Sequence, residues 1–175
     1  MRVPKSSQLT KAAICLGLCF LLPFLTGQIP QIGNMLCPMH IPVLLCGFLC
    51  GPSWAFGVGF LAPLLRSLIF STPVLFPTAI AMMFELATYG LLTGILYRQL
   101  PKTILSTYGT LLIAMAAGRI VSGLANWILF SLVGNQYTWA LFFTTSFVKA
   151  VPGILLQIVL IPILVLALRK AKIIR

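Results

Sequence analysis

Acidic side chains are almost missing from this chain, because Glu85 is the only Asp or Glu among its 175 residues. This excludes paired carboxylates for general acid–base chemistry and a metal site built from carboxylates. The chain also has a single histidine, His40, and contains no H-E-x-x-H, G-x-S-x-G or P-loop pattern. We therefore predict no catalytic residue, no metal site, no cofactor and no ATP hydrolysis by this chain itself.

Charged residues of either sign are scarce, at 7 %, whereas hydrophobic residues make up 60 % and the mean hydropathy is +1.09. A soluble domain of this size cannot bury so much apolar surface, so the composition predicts an all-α, multi-pass membrane protein. The net charge of +11 would indicate nucleic acid in a soluble protein. Because no basic face with interleaved aromatic residues accompanies it, we predict no nucleic-acid partner.

Polar residues and Pro/Gly pairs divide the chain into six apolar segments. The second is short for a spanning helix, so it forms with the third either two helices joined at Gly51-Pro52, the simpler interpretation, or one re-entrant hairpin. The first lacks a small-x-small cleavage site and is interpreted as a retained helix. The expected fold is one six-helix transmembrane domain over 1–175, with helices at roughly 9–26, 39–50, 53–70, 75–97, 104–132 and 140–168.

The basic residues at the ends of these segments and between them occupy alternate connections. They lie in 2–11, 98–102 and 169–175, and are missing from 27–38, 71–74 and 133–139. Cytoplasmic connections of membrane proteins carry an excess of Lys and Arg. The pattern therefore predicts that both termini are cytoplasmic.

Four charged side chains lie inside the apolar segments, namely Arg66, Glu85, Arg119 and Lys149. A charge in hydrocarbon costs roughly 2.5 kcal/mol or more, so such residues usually serve a function. Counting along the helices at 1.5 Å per residue places all four between the midplane and the outer interface. Three cations against one anion at one depth predict a pocket that is open to the outside and binds an anion.

Arg119 and Lys149 are the best candidates to hold a carboxylate or phosphate, because they offer a bidentate fork and a compact ammonium. Glu85 would pair with one of them or accept hydrogen bonds from the ligand, and Tyr89 lies one turn further on the same face. The alternative is that these charges pair with each other and brace the bundle. For Arg66 a further alternative is that it extends to the interface.

Three other residues are candidates at this depth. Asn126 shares the face of Arg119 and offers both a donor and an acceptor, and Trp127 would pack against an apolar part of the ligand. His40 at the outer mouth would contact the ligand or act in a gate, although a single histidine is more often a structural hydrogen-bonding group. The connection 27–38 is long enough to cover a pocket.

Ala13 and Gly17 in the first segment form a small-xxx-small pair, which lets another helix approach closely. Packing inside the bundle and an interface with a partner protein are both open interpretations of this pair.

Three stretches of the sequence carry a resemblance to a known family: Met39-His40-Ile41-Pro42-Val43-Leu44-Leu45-Cys46-Gly47 with Gly51, Pro63-Leu64-Leu65-Arg66, and Phe84-Glu85-Leu86-Ala87-Thr88-Tyr89-Gly90. Together with the pattern of six segments, they resemble the substrate-binding (S) component of energy-coupling factor (ECF) vitamin transporters. Ala13 and Gly17 are similar to the family's first-helix A-x-x-x-A motif, with glycine in place of the second alanine.

This resemblance implies a prokaryotic plasma-membrane protein that captures a micronutrient from outside, with pantothenate favoured. It also implies docking through the first three helices onto a transmembrane coupling protein with two ATPase subunits, which use the ATP. Ligand contacts would come from the first loop and helices four to six.

Two other classes remain open at this stage. One is a self-sufficient secondary carrier or channel for a small anion, in which Glu85 is a proton site. The other is a membrane-embedded enzyme or assembly factor with Glu85 or His40 as general base. The lack of a second acid or metal ligand set disfavours the enzyme. The proton-coupled carrier is disfavoured because a lone acid among cations would stay ionised.

Overall fold

The computed structural model describes residues 5–25, 38–132, 138, 144 and 150–174. Over these residues the chain forms α-helices and one π-helical turn, Leu75–Ala79, and no β-strand. The α-helices are α1 Lys5–Leu25, α2 His40–Cys50, α3 Pro52–Phe70, α4 Ile80–Gln99, α5 Ile104–Leu132 and α6 Val151–Lys170. The predicted all-α membrane bundle is confirmed.

Five of the described helices are long and apolar enough to cross a membrane, and α2, with 11 residues, is shorter. Nearly every side chain of α2 is buried, so this helix is enclosed by its neighbours instead of facing lipid. Gly51, with φ +86°, separates α2 from α3. In this conformation glycine is favoured, and the two apolar segments on either side of it are separate helices.

The connection between α3 and α4 departs from the expected helix over 75–97. Phe76 in the π-helical turn has extended backbone angles, φ −118° and ψ 131°, and α4 begins only at Ile80. Pro77 cannot donate a backbone hydrogen bond, so a regular helix does not run through this stretch. For the predicted segment 140–168, α6 covers the part from Val151 onwards, and most of 140–149 lies outside the described residues.

Helix α4 lies at the centre of the described bundle, where it packs against α2, α3 and α5. Its small residues allow this close packing: a Cβ atom at Gly90 would overlap the backbone carbonyl of Ala55 in α3. Large apolar side chains on the outer faces remain exposed, such as Leu68, Leu105 and Leu132. This is the distribution expected when hydrocarbon, not water, surrounds the helices.

The described parts of the three basic stretches meet at one end of the bundle. The Lys11 ammonium donates to the carbonyl of Ile173 over 3.0 Å, and the Lys102 ammonium lies 3.7 Å from the centroid of the Tyr97 ring. Burial, and then the nearby Arg169 and Arg98, hold the pKa of Lys102 below its usual range. Residues that are distant in sequence therefore form one positively charged surface at this end.

Candidate functional site

The only carboxylate of the chain lies at the centre of a buried polar cluster formed by α2, α4 and α5. Glu85 Oε1 accepts a hydrogen bond of 2.9 Å from the hydroxyl of Tyr89. His40 Nε2 lies 3.4 Å from the same oxygen, and Arg119 Nε lies 3.6 Å from it. We call Glu85, His40, Tyr89 and Arg119 the Glu85 cluster, and all four side chains are buried.

The three contacts differ in kind. The Tyr89 contact is a hydrogen bond to a charged acceptor, whereas the Arg119 contact is an ion pair beyond hydrogen-bonding distance. For His40 Nε2 to donate to Glu85, its proton must be on Nε2, and Nδ1 is then a hydrogen-bond acceptor. No described residue lies within hydrogen-bonding distance of His40 Nδ1. The cluster thus presents polar groups beyond those that satisfy Glu85.

A small residue on α5 sets the position of Tyr89. A Cβ atom at Gly118 would overlap the Tyr89 ring, so glycine allows the ring to lie directly against the α5 backbone. Tyr89 and Glu85 are one turn apart on α4, and Arg119 follows Gly118 on α5. Close contact between α4 and α5 therefore brings the phenol, the carboxylate and the guanidinium together.

The half of α5 that lies beyond Arg119, away from the basic surface, carries two further polar residues of interest. Buried Ser122 lies beside the Glu85 carboxylate, and the Asn126 amide donates to the Ser122 carbonyl over 2.9 Å. Asn126 is therefore about two turns beyond Arg119 on nearly the same face. Trp127 is 58 % exposed, since it is rotated by about 80° from Arg119 on the helix. The structure does not bring Trp127 to the Glu85 cluster.

Arg66 also lies apart from the cluster. Its guanidinium donates to the carbonyl of Phe20 over 3.3 Å and lies 5.7 Å and 5.6 Å from the ring centroids of Phe24 and Phe70. These contacts join the ends of α1 and α3 that lie away from the basic surface. Arg66 therefore contributes to the packing between these two helices.

Lys149, together with residues 27–37 of the proposed covering loop, lies outside the described residues. The small pair on α1 is described: Ala13 is exposed, and a Cβ atom at Gly17 would meet no described atom within 4 Å. The opposite face of α1, with Ala12, Cys15 and Cys19, packs in the core. The small pair thus lies on a face that the described bundle leaves open.

Gln157 is a polar residue of the interior that sequence reasoning missed. Gln157 on α6 is 0 % exposed, and no described residue lies within hydrogen-bonding distance of its Nε2 or Oε1. It was overlooked because an uncharged amide does not stand out in an apolar segment. The signal that would have found it is its spacing of four residues from Gly153 and Ile161, which places it on the buried stripe of α6.

These observations define a multi-pass membrane protein with a buried polar cluster between its helices. Residues 7–165 match the model of the family "ECF transporter, substrate-specific component". The chain therefore belongs to this family, whose members are transporter subunits that bind a small molecule and associate with a coupling protein and ATPases. No match to a curated protein or to a solved structure was found.

Proposed function

We propose that this chain captures a small anionic micronutrient from outside the cell and delivers it inward as the substrate-binding subunit of an ECF importer. The observation that carries the proposal is the Glu85 cluster. One carboxylate is shared between Arg119, His40 and Tyr89 inside a bundle of net charge +11. A second anion in this place would be attracted by the Arg119 guanidinium, which has five N–H donors and can therefore serve a ligand as well as Glu85.

The depth of the cluster supports a site that is reached from outside. Glu85 lies about 14 residues from the end of α4 at the basic surface, and Arg119 about 15 residues from the start of α5. At 1.5 Å per residue this is roughly 20 Å, which leaves about 10 Å to the opposite interface of a 30 Å hydrocarbon core. We infer that the basic surface is cytoplasmic.

This orientation can be tested with single cysteines in a cysteine-free background. A membrane-impermeant thiol reagent on intact cells is expected to label Ser71→Cys, at the end of α3, and to spare Thr103→Cys, at the start of α5. Both positions are exposed, so accessibility of the side chain itself does not differ. Labelling of Thr103→Cys alone would reverse the orientation.

For the ligand we favour pantothenate, a carboxylic acid of vitamin size. Arg119 would hold the carboxylate with Lys149, and Asn126 would bind a polar group further out. The ATP would be used by two ATPase subunits bound to a transmembrane coupling protein in the prokaryotic plasma membrane. This chain itself would need no cofactor. Ala13 and Gly17 would contact the coupling protein, since they lie on the open face of α1.

The alternative, a self-sufficient carrier or channel for a small anion, requires Glu85 to bind and release a proton during transport. A carboxylate that accepts a bond from Tyr89 and lies beside Arg119 is stabilised in its ionised form. This makes it a poor proton site. Uptake in vesicles that contain only this chain, driven by a proton gradient, would support the carrier instead.

The test is native mass spectrometry of the purified protein before and after incubation with a panel of vitamins. We expect a bound acid of vitamin size, and loss of its binding in Arg119→Met. Arg66→Met is the matched control, because it removes the same charge from a buried site away from the cluster. A protein that binds no member of the panel, or equal loss in both variants, would contradict the proposal.

A further inference from the structure

Gln157 is a buried amide without a partner among the described residues. Both its Nε2 and its Oε1 lack a hydrogen bond there, and its side chain is 0 % exposed. The residues four positions before and eight positions after it on α6, Gly153 and Val165, are buried too. Gln157 is therefore the polar member of a stripe that is otherwise small or apolar and faces the bundle.

This arrangement lowers the stability of the fold, because burying an amide without hydrogen bonds has a higher free energy than burying an apolar side chain of equal size. The cost is larger within a membrane, where water does not compensate. Buried Thr93 and Thr110 also lack partners for their hydroxyls among the described residues. A hydroxyl, however, can rotate toward the carbonyl four residues earlier in its own helix, whereas the two amide atoms of Gln157 require two separate partners.

Gln157 also lies at the level of the Glu85 cluster. It is about 13 residues from the basic end of α6, or roughly 20 Å, which is the depth of Glu85 and Arg119. Helix α6 packs against α2, which carries His40, and against α5, which carries Arg119. On α2, His40 Nδ1 is a second buried polar atom without a described partner.

We propose that Gln157 contacts the ligand and selects acids that also carry an amide, ureido or hydroxyl group. This inference rests on the proposed function. The cationic side of the cluster would attract any small anion, whereas the glutamine amide needs a group that both donates and accepts. A plain carboxylic acid leaves one or both amide atoms unpaired, so it lacks hydrogen bonds that an acid with an amide, ureido or hydroxyl group would make and binds more weakly.

The variant that tests this is Gln157→Met, which keeps the length of the side chain and removes its hydrogen bonding. If the amide serves the ligand, Gln157→Met is expected to raise the melting temperature of the ligand-free protein and to weaken binding. Dissociation constants would be measured for pantothenate and biotin, which carry amide, hydroxyl or ureido groups, and for valerate, which carries none. We expect about a tenfold loss for the acid that the wild type binds and little change for valerate.

Thr110→Val is the matched control, since it also removes a buried hydrogen-bonding group without a described partner, but nearer to the basic end. It is expected to leave all affinities unchanged. Gln157→Asn, which keeps the amide on a shorter stem, is expected to fall between wild type and Gln157→Met in affinity.

The outcomes separate the two proposals. If the wild type binds pantothenate or biotin and Gln157→Met binds it equally well, the role of Gln157 is refuted and the proposed function stands. If Gln157→Met lowers the melting temperature of the ligand-free protein or fails to fold, the amide serves the fold and the inference is refuted as well. A wild type that binds no acid refutes both.

Discussion

Replacing Glu85 by Gln should destabilise the ligand-free protein, because it removes the only negative charge next to Arg119. With an effective dielectric constant of 20, two unit charges 3.6 Å apart attract each other by about 4–5 kcal/mol. The hydrogen bond from Tyr89 to the ionised acceptor adds about 1.5–3 kcal/mol. Relief from burying the carboxylate opposes both terms. We therefore expect a net loss of about 3–5 kcal/mol, the range for breaking a buried pair.

The assay is thermal unfolding in detergent, followed by circular dichroism. For a chain of this length the loss corresponds to a fall in melting temperature of roughly 10 °C. Thr88→Val is the control, because the Thr88 hydroxyl donates to the carbonyl of Phe84 in its own helix and to no other described residue. A shift of at most a few degrees is expected. A Glu85→Gln variant that melts with the wild type would show that the carboxylate does not stabilise the cationic groups around it.

The same variant also tests the charge of the ligand. Without Glu85, an anion that binds beside Arg119 supplies the missing negative charge, so it should raise the melting temperature more in Glu85→Gln than in the wild type. Pantothenate would be the first probe. An equal or smaller rise in the variant would refute the idea that the ligand's charge acts on this cluster.

Three further substitutions have distinct expected outcomes. Gly118→Val should displace the Tyr89 ring packed against it and lower the stability by about 1–3 kcal/mol. Gly109→Ala, where a Cβ atom would meet no described atom within 4 Å, should be nearly neutral, and equal melting temperatures of the two variants would contradict this. Arg66→Met should lower the melting temperature by loosening α1 from α3 yet leave ligand affinity unchanged, and a large loss of affinity would place Arg66 in the site. Ala13→Trp should abolish co-purification with the coupling protein and spare ligand binding, and Ala116→Trp at an exposed position of α5 is the control. If Ala13→Trp retains the coupling protein, this face of α1 is not the interface with it.

Part of the candidate site could be predicted because rare residue types in an apolar chain are conspicuous. A single acid and a few cations inside apolar segments identify Glu85 and Arg119 without any knowledge of tertiary contacts. The spacing of Tyr89 from Glu85 follows from the helical repeat. Depth along a helix is likewise a matter of counting residues. Each of these inferences depends on a single helix, which is why the sequence alone is sufficient for them.

The contact partners of the buried charged side chains could not be predicted in this way. Arg66 and Arg119 are both buried arginines in apolar segments, yet one packs against Phe24 and Phe70 and the other pairs with Glu85. Which partner each reaches depends on how the helices are rotated and how closely they approach. That is decided by contacts such as the Tyr89 ring against Gly118, between residues far apart in sequence.

The sequence by itself determined the class of this protein: its apolar content requires a membrane, its helical segments are set by local composition, and its family follows from the match over residues 7–165. Only the tertiary structure decided that His40 shares the carboxylate with Arg119, that Trp127 faces outward and that Gln157 lies buried without a described partner. The physical reason is that composition and periodicity act within a segment, whereas burial and pairing arise between segments, from the packing of one helix face on another.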